Sequence, residues 1–459
     1  MLSMISVQNH LQLLSGNNKI VLFLLVIGMF TSCAAGKKSG SSNGANVTEI
    51  VEPNIVKDTI KKEVIPFDVI EEIKDSVKSE IKEEVKPITS QITPEILKDK
   101  YRISVVLPFI LKQIPLSGVY VNDTTKQLLP DSKKAMDFYL GCKLAYEEIS
   151  NYSKKLNVYF LDDNNNPTDL IGLLDGSIFD KSDYIIAPFD NEQVKMLAEF
   201  GKVNQKIVLS PTVNSIYITR DNPYYYSVNP TLNSQYQFIL DKIKDATPNT
   251  TIEVVYSSTD SISENISLLK NIIAQNIKSG SNVNIQYYDL ISTTNVAQQL
   301  YSKDTISKRV VLLYSSNLNY IKPILNQMGS IKNPLDIYTN SSVRYSKNLV
   351  TAKNFKQRIY CPAAYDANND QTKLFKQKYI DKFVKEPTEL SYLGYDLMKL
   401  LFYKIDKNET LLQNSKSIYN EYLQQDFNFV PINNSKGELQ YYDNAYLNML
   451  HFSNGIFVQ

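Results

Sequence analysis

A chain of 459 residues is longer than one hydrophobic core commonly serves, so more than one packed unit is expected. Its 49 basic and 48 acidic side chains leave a net charge of +1, which excludes the electrostatic footprint of a nucleic-acid binder. The chain has three cysteines and two histidines, without Cys/His clusters at metal-ligand spacing or a glycine-rich phosphate loop after a strand. Enzyme chemistry and a bound cofactor therefore find little support.

Residues 20–30, IVLFLLVIGMF, form an apolar run behind Lys19. The run is too short to span a hydrocarbon core of about 30 Å and suits the apolar part of an export signal. It ends in Thr31-Ser32-Cys33, the small residue and thiol that lipoprotein processing requires. Residues 1–32 are thus read as a signal peptide, started at Met1 or Met4, with Cys33 the lipidated first residue of the mature protein. Residues 34–40 hold two lysines and no acid. Inner-membrane retention resembles an Asp beside the cysteine, and surface export an acidic cluster there. The absence of both points to the periplasmic face of an outer membrane, with contact to the membrane through the N-terminal lipid.

Residues 33–100 read as a charged tether, poor in aromatic rings and unable to bury enough apolar surface to offset chain entropy. Within it Asp68 and Glu71 resemble a capping box. Ile73, Val77, Ile81 and Val85 recur every four residues until Pro87, which predicts a solvated helix over 68–86 of roughly 28 Å.

From Tyr101 the composition becomes that of a folded domain. Short apolar runs at 103–109, 158–161, 184–187 and 207–209 predict buried strands of the parallel kind. Between the first two, Ala135, Phe138, Cys142, Ala145 and Ile149 mark one face of a helix that starts near Ser132 behind Pro130-Asp131. Another helix follows Asn191. A second alternating set has strands near 252–256, 283–290, 310–314 and 335–338, with helices near 261–278, 295–302 and 317–328. Such alternation predicts an α/β protein of two Rossmann-like lobes with parallel sheets and right-handed crossovers.

Three local features carry competing readings. Asp162-Asp163-Asn164-Asn165-Asn166 has the outline of a calcium loop but lacks its glycine and distal glutamate, and Pro167-Thr168 opens a helix, so a strand-to-helix turn is expected. Cys142 and Cys361 sit on apolar faces and read as buried thiols in different lobes rather than a disulfide. His451, in an alternating strand, reads as structural.

The segments Val105-Val106-Leu107-Pro108-Phe109, Phe138 to Ala145 in FYLGCKLA, Asp183 to Pro188 in DYIIAP, and Ile207-Val208-Leu209-Ser210-Pro211 resemble type 1 periplasmic binding proteins, the leucine/isoleucine/valine-binding class. So do the stretch from Phe375 to Pro387, Leu393-Gly394-Tyr395-Asp396, and Asn454-Gly455 before the last strand. The resemblance spans 101–459. It implies lobes joined by a multi-strand hinge, one over about 101–228 and 365–425, the other over about 229–364 and 426–459. Tyr226-Ser227-Val228-Asn229-Pro230 would be the first crossing and Tyr360-Cys361-Pro362 would lead to the second.

The resemblance also implies a ligand between the lobes, held by groups that follow two strand ends. Asn191, Thr212 and Ser215 are the candidates, with Tyr226 from the cluster Tyr224-Tyr225-Tyr226 beside the hinge. Asp190 or Asn191 also suits a simple helix cap. Two functions stay open. One is a non-catalytic lipoprotein that captures a small polar solute such as an amino acid, peptide or wall fragment. The other, by similarity to penicillin-binding protein activators, is a regulator that touches a peptidoglycan-related enzyme and has a vestigial cleft.

Overall fold

The computed structural model describes residues 5–6 and 98–458, apart from 99, 114–128, 151–155, 247–249, 258–262, 278–282, 290–299, 301–307, 316, 347, 352–354, 365–369, 414–422, 424 and 435. The expectations for Cys33, for the tether with its 68–86 helix, and for most of the signal peptide and of the 295–302 helix lie outside the described residues.

In chain order the first lobe opens with a two-residue strand β1 (Ile5–Ser6), then β2 (Tyr101–Leu107), α1 (Pro130–Ser150), β3 (Leu156–Asp162), α2 (Pro167–Leu174), β4 (Tyr184–Ile186), α3 (Asn191–Asn204), β5 (Ile207–Ser210) and β6 (Tyr225–Ser227). The second lobe follows with α4 (Leu232–Ala246), β7 (Thr250–Tyr256), α5 (Ser263–Asn276), β8 (Asn284–Asp289), β9 (Lys308–Tyr314), α6 (Leu318–Met328), β10 (Asp336–Tyr338) and β11 (Arg358–Ala363). Then come α7 (Asp370–Phe383), α8 (Glu389–Lys407), β12 (Phe429–Asn433), β13 (Leu439–Asn444), β14 (Asn448–Ser453) and β15 (Ile456–Val458).

The first sheet has the order β1-β3-β2-β4-β5-β6-β13-β12 and the second β8-β7-β9-β10-β11-β14-β15. From β3 to β13, and from β8 to β11, every pairing is parallel. The remaining pairings, β1 with β3, β13 with β12, β11 with β14 and β14 with β15, are antiparallel. Strands β2–β6 of the first lobe and β7–β11 of the second are thus five parallel strands in the same order, second-first-third-fourth-fifth, as the alternation of apolar runs and amphipathic helices predicts.

These strands are apolar on both faces because both faces are covered. Ile103, Val105 and Leu107 of β2 pack with Phe138 and Cys142 of α1 and Leu397 and Leu401 of α8. Val106, one residue out of phase, packs with Val194 and Leu197 of α3. In the second lobe Val311 and Leu313 face Ile321 and Leu325 of α6, while Val310 and Leu312 face Ile239 of α4 and Leu269 of α5.

Helix starts are set by side-chain caps. Asn166 accepts from the Thr168 N–H ahead of Pro167 in α2, and Asp190 accepts from the N–H groups of Glu192 and Gln193 in α3. The turn before α2 places Asn164 and Asn165 at φ of 52° and 53°, left-handed values that asparagine tolerates. The run 162–166 is thus a strand-to-helix turn.

Helices α1 and α8 touch backbone to backbone. A Cβ on Gly141 would lie 1.9 Å from the Ser391 carbonyl oxygen, and one on Gly394 would lie 2.4 Å from that of Phe138. Glycine is required at both places. The same contact buries Cys142, whose Sγ donates to the Gly394 carbonyl at 3.3 Å. Cys361 is buried in the other lobe, and both thiols are free.

The described chain from residue 98 onward belongs to one compact unit. It passes between the lobes after β6, after β11 and after β13. The lobe boundary expected near 425 falls later in the sheets. Strands β12 and β13 extend the first sheet, and only β14 and β15 join the second. The physical reason is that β13 pairs in parallel with β6, Tyr442 opposite Tyr226, before the chain turns across. Asn454 and Gly455, with φ of 50° and 87°, make the tight turn between β14 and β15. Among the described residues no helix is long and apolar enough to cross a membrane.

Candidate functional site

The end of β5 builds one wall of a cleft between the lobes. Beyond Ser210 the chain turns at Pro211 and Thr212, and Asn229 on the first crossing ties that turn down by donating from Nδ2 to the Thr212 carbonyl at 2.8 Å. Ser227 Oγ in turn donates to the Asn229 carbonyl at 2.9 Å. The turn is therefore fixed to the hinge.

The second lobe supplies the facing wall from a short 3₁₀ helix, Ser341–Tyr345, after β10. Asn340 caps it, accepting from the Ser342 N–H at 3.0 Å and donating from Nδ2 to the Ser315 carbonyl at 2.7 Å. Gln235 of α4 reaches across, accepting from the Ser341 N–H at 3.1 Å and donating to the Pro230 carbonyl at 3.0 Å. The floor comes from α8. Asp396 is fully buried there and accepts from the N–H groups of Leu423 at 2.7 Å and Gln425 at 3.0 Å.

Between these walls lies a cavity of about 370 Å³. Thr212, Asn214, Asn229, Gln235, Ser341 and Arg344 contribute polar groups, and Leu390, Leu393 and Leu447 contribute apolar ones. Among the described residues no aromatic side chain lines it. Thr212 Oγ1 is buried without a hydrogen-bond partner among the described residues. A hydroxyl left so costs about 1–3 kcal/mol, which a hydrogen-bonding solute would recover. Arg344 donates from Nη2 to Glu389 Oε2 at 3.3 Å, from one lobe to the other.

A second buried acid stands at the hinge itself. Asp443, at the end of β13, accepts from the Thr231 N–H at 3.2 Å and from the hydroxyls of Thr231 and Ser234 at 2.5 Å each. It therefore joins the first sheet to the start of α4 in the second lobe. Burial pushes its carboxyl up to about 7, against the opposing pull of these donors. Asp163, beside the α2 turn, is likewise pushed up to about 7 by burial and accepts from Gln193 Nε2 at 2.8 Å.

Of the residues singled out from sequence, Thr212 lines the cavity. Ser215 does not. It follows the lining residue Asn214, and its Oγ accepts from the Tyr217 N–H at 3.2 Å. Asn191 is the exposed first residue of α3, with Asp190 as the cap, and lies outside the lining. Tyr226 is 2% exposed and stacks on Tyr442 at 4.8 Å within the core of the first lobe. His451 is exposed on β14 opposite Tyr360. Sequence reasoning passed over Gln235, Arg344 and Glu389. Arg344 had one signal: the chain contains five arginines against 44 lysines, so an arginine marks a place where the planar guanidinium matters. Among the described residues no group of three or more His, Cys, Asp or Glu is arranged to hold a metal ion.

Residues 139–355 match the model of the family described as the receptor family ligand binding region. A putative branched-chain amino acid ABC transporter from Rhodospirillum rubrum aligns with a TM-score of 0.57 at 10% identity, over 78% of this chain and 99% of that one. The LpoA C-domain from Haemophilus influenzae, a regulator of PBP1A, aligns at 0.46 and 15% identity over 78% and 99%. LivJ from Streptococcus pneumoniae in complex with isoleucine aligns at 0.43 and 12% identity over 78% and 97%. The Rhodospirillum rubrum match, at 10% identity, concerns fold alone, and it agrees with the sheets in giving this chain the type 1 periplasmic-binding-protein fold. No curated protein sequence matches the chain.

Proposed function

We propose that this protein captures a small polar solute between its lobes without transforming it, and that lipid on Cys33 tethers it to the periplasmic face of an outer membrane. The observation that carries this reading is the interlobe cavity with the buried, unpartnered hydroxyl of Thr212 in its lining. On this reading Thr212, which lines the cavity, would contact the solute, and Asn214, Asn229 and Gln235 would do so in place of Asn191, Ser215 and Tyr226. The match to a receptor ligand-binding family supports binding as the task. The Rhodospirillum rubrum neighbour, described as a putative branched-chain amino acid transporter, makes amino acids the first solutes to try.

A solute that binds only the folded state raises its stability by about 2.7 kcal/mol at a hundred times its Kd. A thermal-shift screen of amino acids, short peptides and muropeptides should find such a solute, and Thr212→Val should weaken it. Failure of every solute to raise the melting temperature would refute solute capture. The anchor is tested separately: complete alkylation of the denatured protein from membranes should label two cysteines, and labelling of all three would refute lipidation at Cys33.

A second reading is favoured by one observation, the Arg344–Glu389 contact that already crosses the cleft. On that reading the protein regulates a peptidoglycan-related enzyme by surface contact, and cleft variants such as Thr212→Val keep their phenotype. Crosslinking in cells would then return a cell-wall synthase.

A further inference from the structure

One ion pair in the cavity lining joins the lobes. Arg344, from the 3₁₀ helix of the second lobe, meets Glu389, the first residue of α8 in the first lobe, and both line the cavity. Their exposures differ: the Arg344 side chain is 12% exposed and that of Glu389 44%. This asymmetry decides which partner is exchangeable. A carboxylate nearly half in water regains its hydration when it lets go, whereas a largely buried guanidinium that loses its counter-charge pays heavily. An incoming anion therefore replaces Glu389 on Arg344 cheaply, while an incoming cation that took Glu389 would remove a carboxylate from the more buried of the two partners.

The geometry of the pair agrees. Arg309 meets Glu253 at 2.6 Å and Arg358 meets Asp336 at 2.5 Å, both close contacts to nearly buried carboxylates. The Arg344–Glu389 contact, at 3.3 Å, is longer than the short charge-assisted bonds such groups form when nothing else is asked of them. Among the described residues the lining's other carboxylate, Asp396, is engaged by two backbone N–H groups. Across the cavity the Thr212 hydroxyl offers a hydrogen bond from the first lobe.

We propose, resting on the reading of the cleft as a solute site, that the solute is a compact carboxylate and that Glu389 is its built-in stand-in. The solute's carboxylate displaces Glu389 from Arg344 and its body takes the Thr212 hydrogen bond. The bridge between the lobes then runs through the solute instead of through the chain's own glutamate.

Thermal shift and calorimetry on the full-length protein test this with three pairs: succinate and succinamide, propionate and propionamide, L-alanine and L-alaninamide. At least one carboxylate should bind about ten-fold or more tightly than its amide. Glu389→Gln, which removes the internal competitor, should raise that affinity, because the binding-competent state becomes more populated. Arg344→Gln should abolish binding and Arg344→Lys should retain part of it, with folding of each variant checked by circular dichroism. Amides bound as tightly as carboxylates, a carboxylate bound undiminished by Arg344→Gln, or weaker binding by Glu389→Gln would each overturn the proposal and leave the cleft standing as a solute site. Absence of binding by every probe to the parent and to Glu389→Gln also overturns it, and the broad solute screen then judges the cleft by itself.

Discussion

Substituting alanine for Gly141 separates two opposed physical effects. In an ordinary helix interior the change stabilises by about 0.8–1 kcal/mol, because alanine loses less backbone freedom on folding. At Gly141 the new Cβ would stand 1.9 Å from the Ser391 carbonyl oxygen, where a carbon–oxygen contact needs about 3.3 Å or more. A Cβ has no torsion by which to move aside and the oxygen it meets is backbone, so α1 and α8 must part by about 1 Å and loosen the packing of Phe138, Cys142, Leu397 and Leu401. Overpacking of this kind costs about 1–3 kcal/mol, and more when helices have to move. Net destabilisation of about 2 kcal/mol follows, a fall of roughly 4 °C or more in melting temperature. Gly172, exposed in α2 with nothing within 4 Å of its would-be Cβ, is the matched control. Gly172→Ala should raise the melting temperature by about 2 °C. Thermal denaturation followed by circular dichroism reads both, and a Gly141→Ala protein as stable as Gly172→Ala would refute the close crossing of α1 and α8.

Three further outcomes are expected. Burial holds the carboxyls of Asp443 and Asp163 at about 7 in the folded state against an ordinary 3.8, so the folded chain binds these protons more tightly than the unfolded one. Their contribution is fully present below about pH 4 and is lost as pH rises through 7; denaturant titrations should show Asp163→Asn/Asp443→Asn flattening that fall, and an unchanged slope would count against it. Burial pushes the Cys361 thiol up to about 12 and raises that of Cys142 as well, so iodoacetamide at pH 8 should leave both unlabelled in the native protein and label both in guanidinium; native labelling would contradict their burial. Arg309→Leu should cost about 3–5 kcal/mol in urea unfolding, because it removes the guanidinium from the nearly buried Glu253 carboxylate, and Arg309→Leu/Glu253→Leu should recover most of that loss. Equal loss in the single and double variants would mean that the charge pair is not what matters there.

The parallel strands were legible because burial on both faces turns them into uninterrupted apolar runs. The run 207–209 became β5 (Ile207–Ser210) and 310–314 became β9 (Lys308–Tyr314). Strands β12 and β13 were not, since FVPIN and LQYYDN mix polar and apolar residues and Pro431 interrupts the first, as suits an antiparallel margin of a sheet. That ambiguity moved the expected lobe boundary. Within the site, Thr212 could be placed from its position just past a strand. Tyr226 looked like a hinge aromatic, but β6 lies between β5 and β13, and alternation sends Tyr225 and Tyr226 into two different cores. Arg344 and Glu389 meet only through the tertiary fold, 45 residues apart, and no local pattern announces such a pair.

The late strands have a bearing on how the molecule assembles. Neither lobe is a continuous length of chain: β13 must reach β6 and β14 must reach β11 before either sheet gains its outer strands. A polypeptide emerging from its N terminus thus keeps two bare sheet margins until Leu439 and everything after it have been delivered. Pairing across such long sequence separations is slow, and unmatched margins invite association with other chains in the meantime.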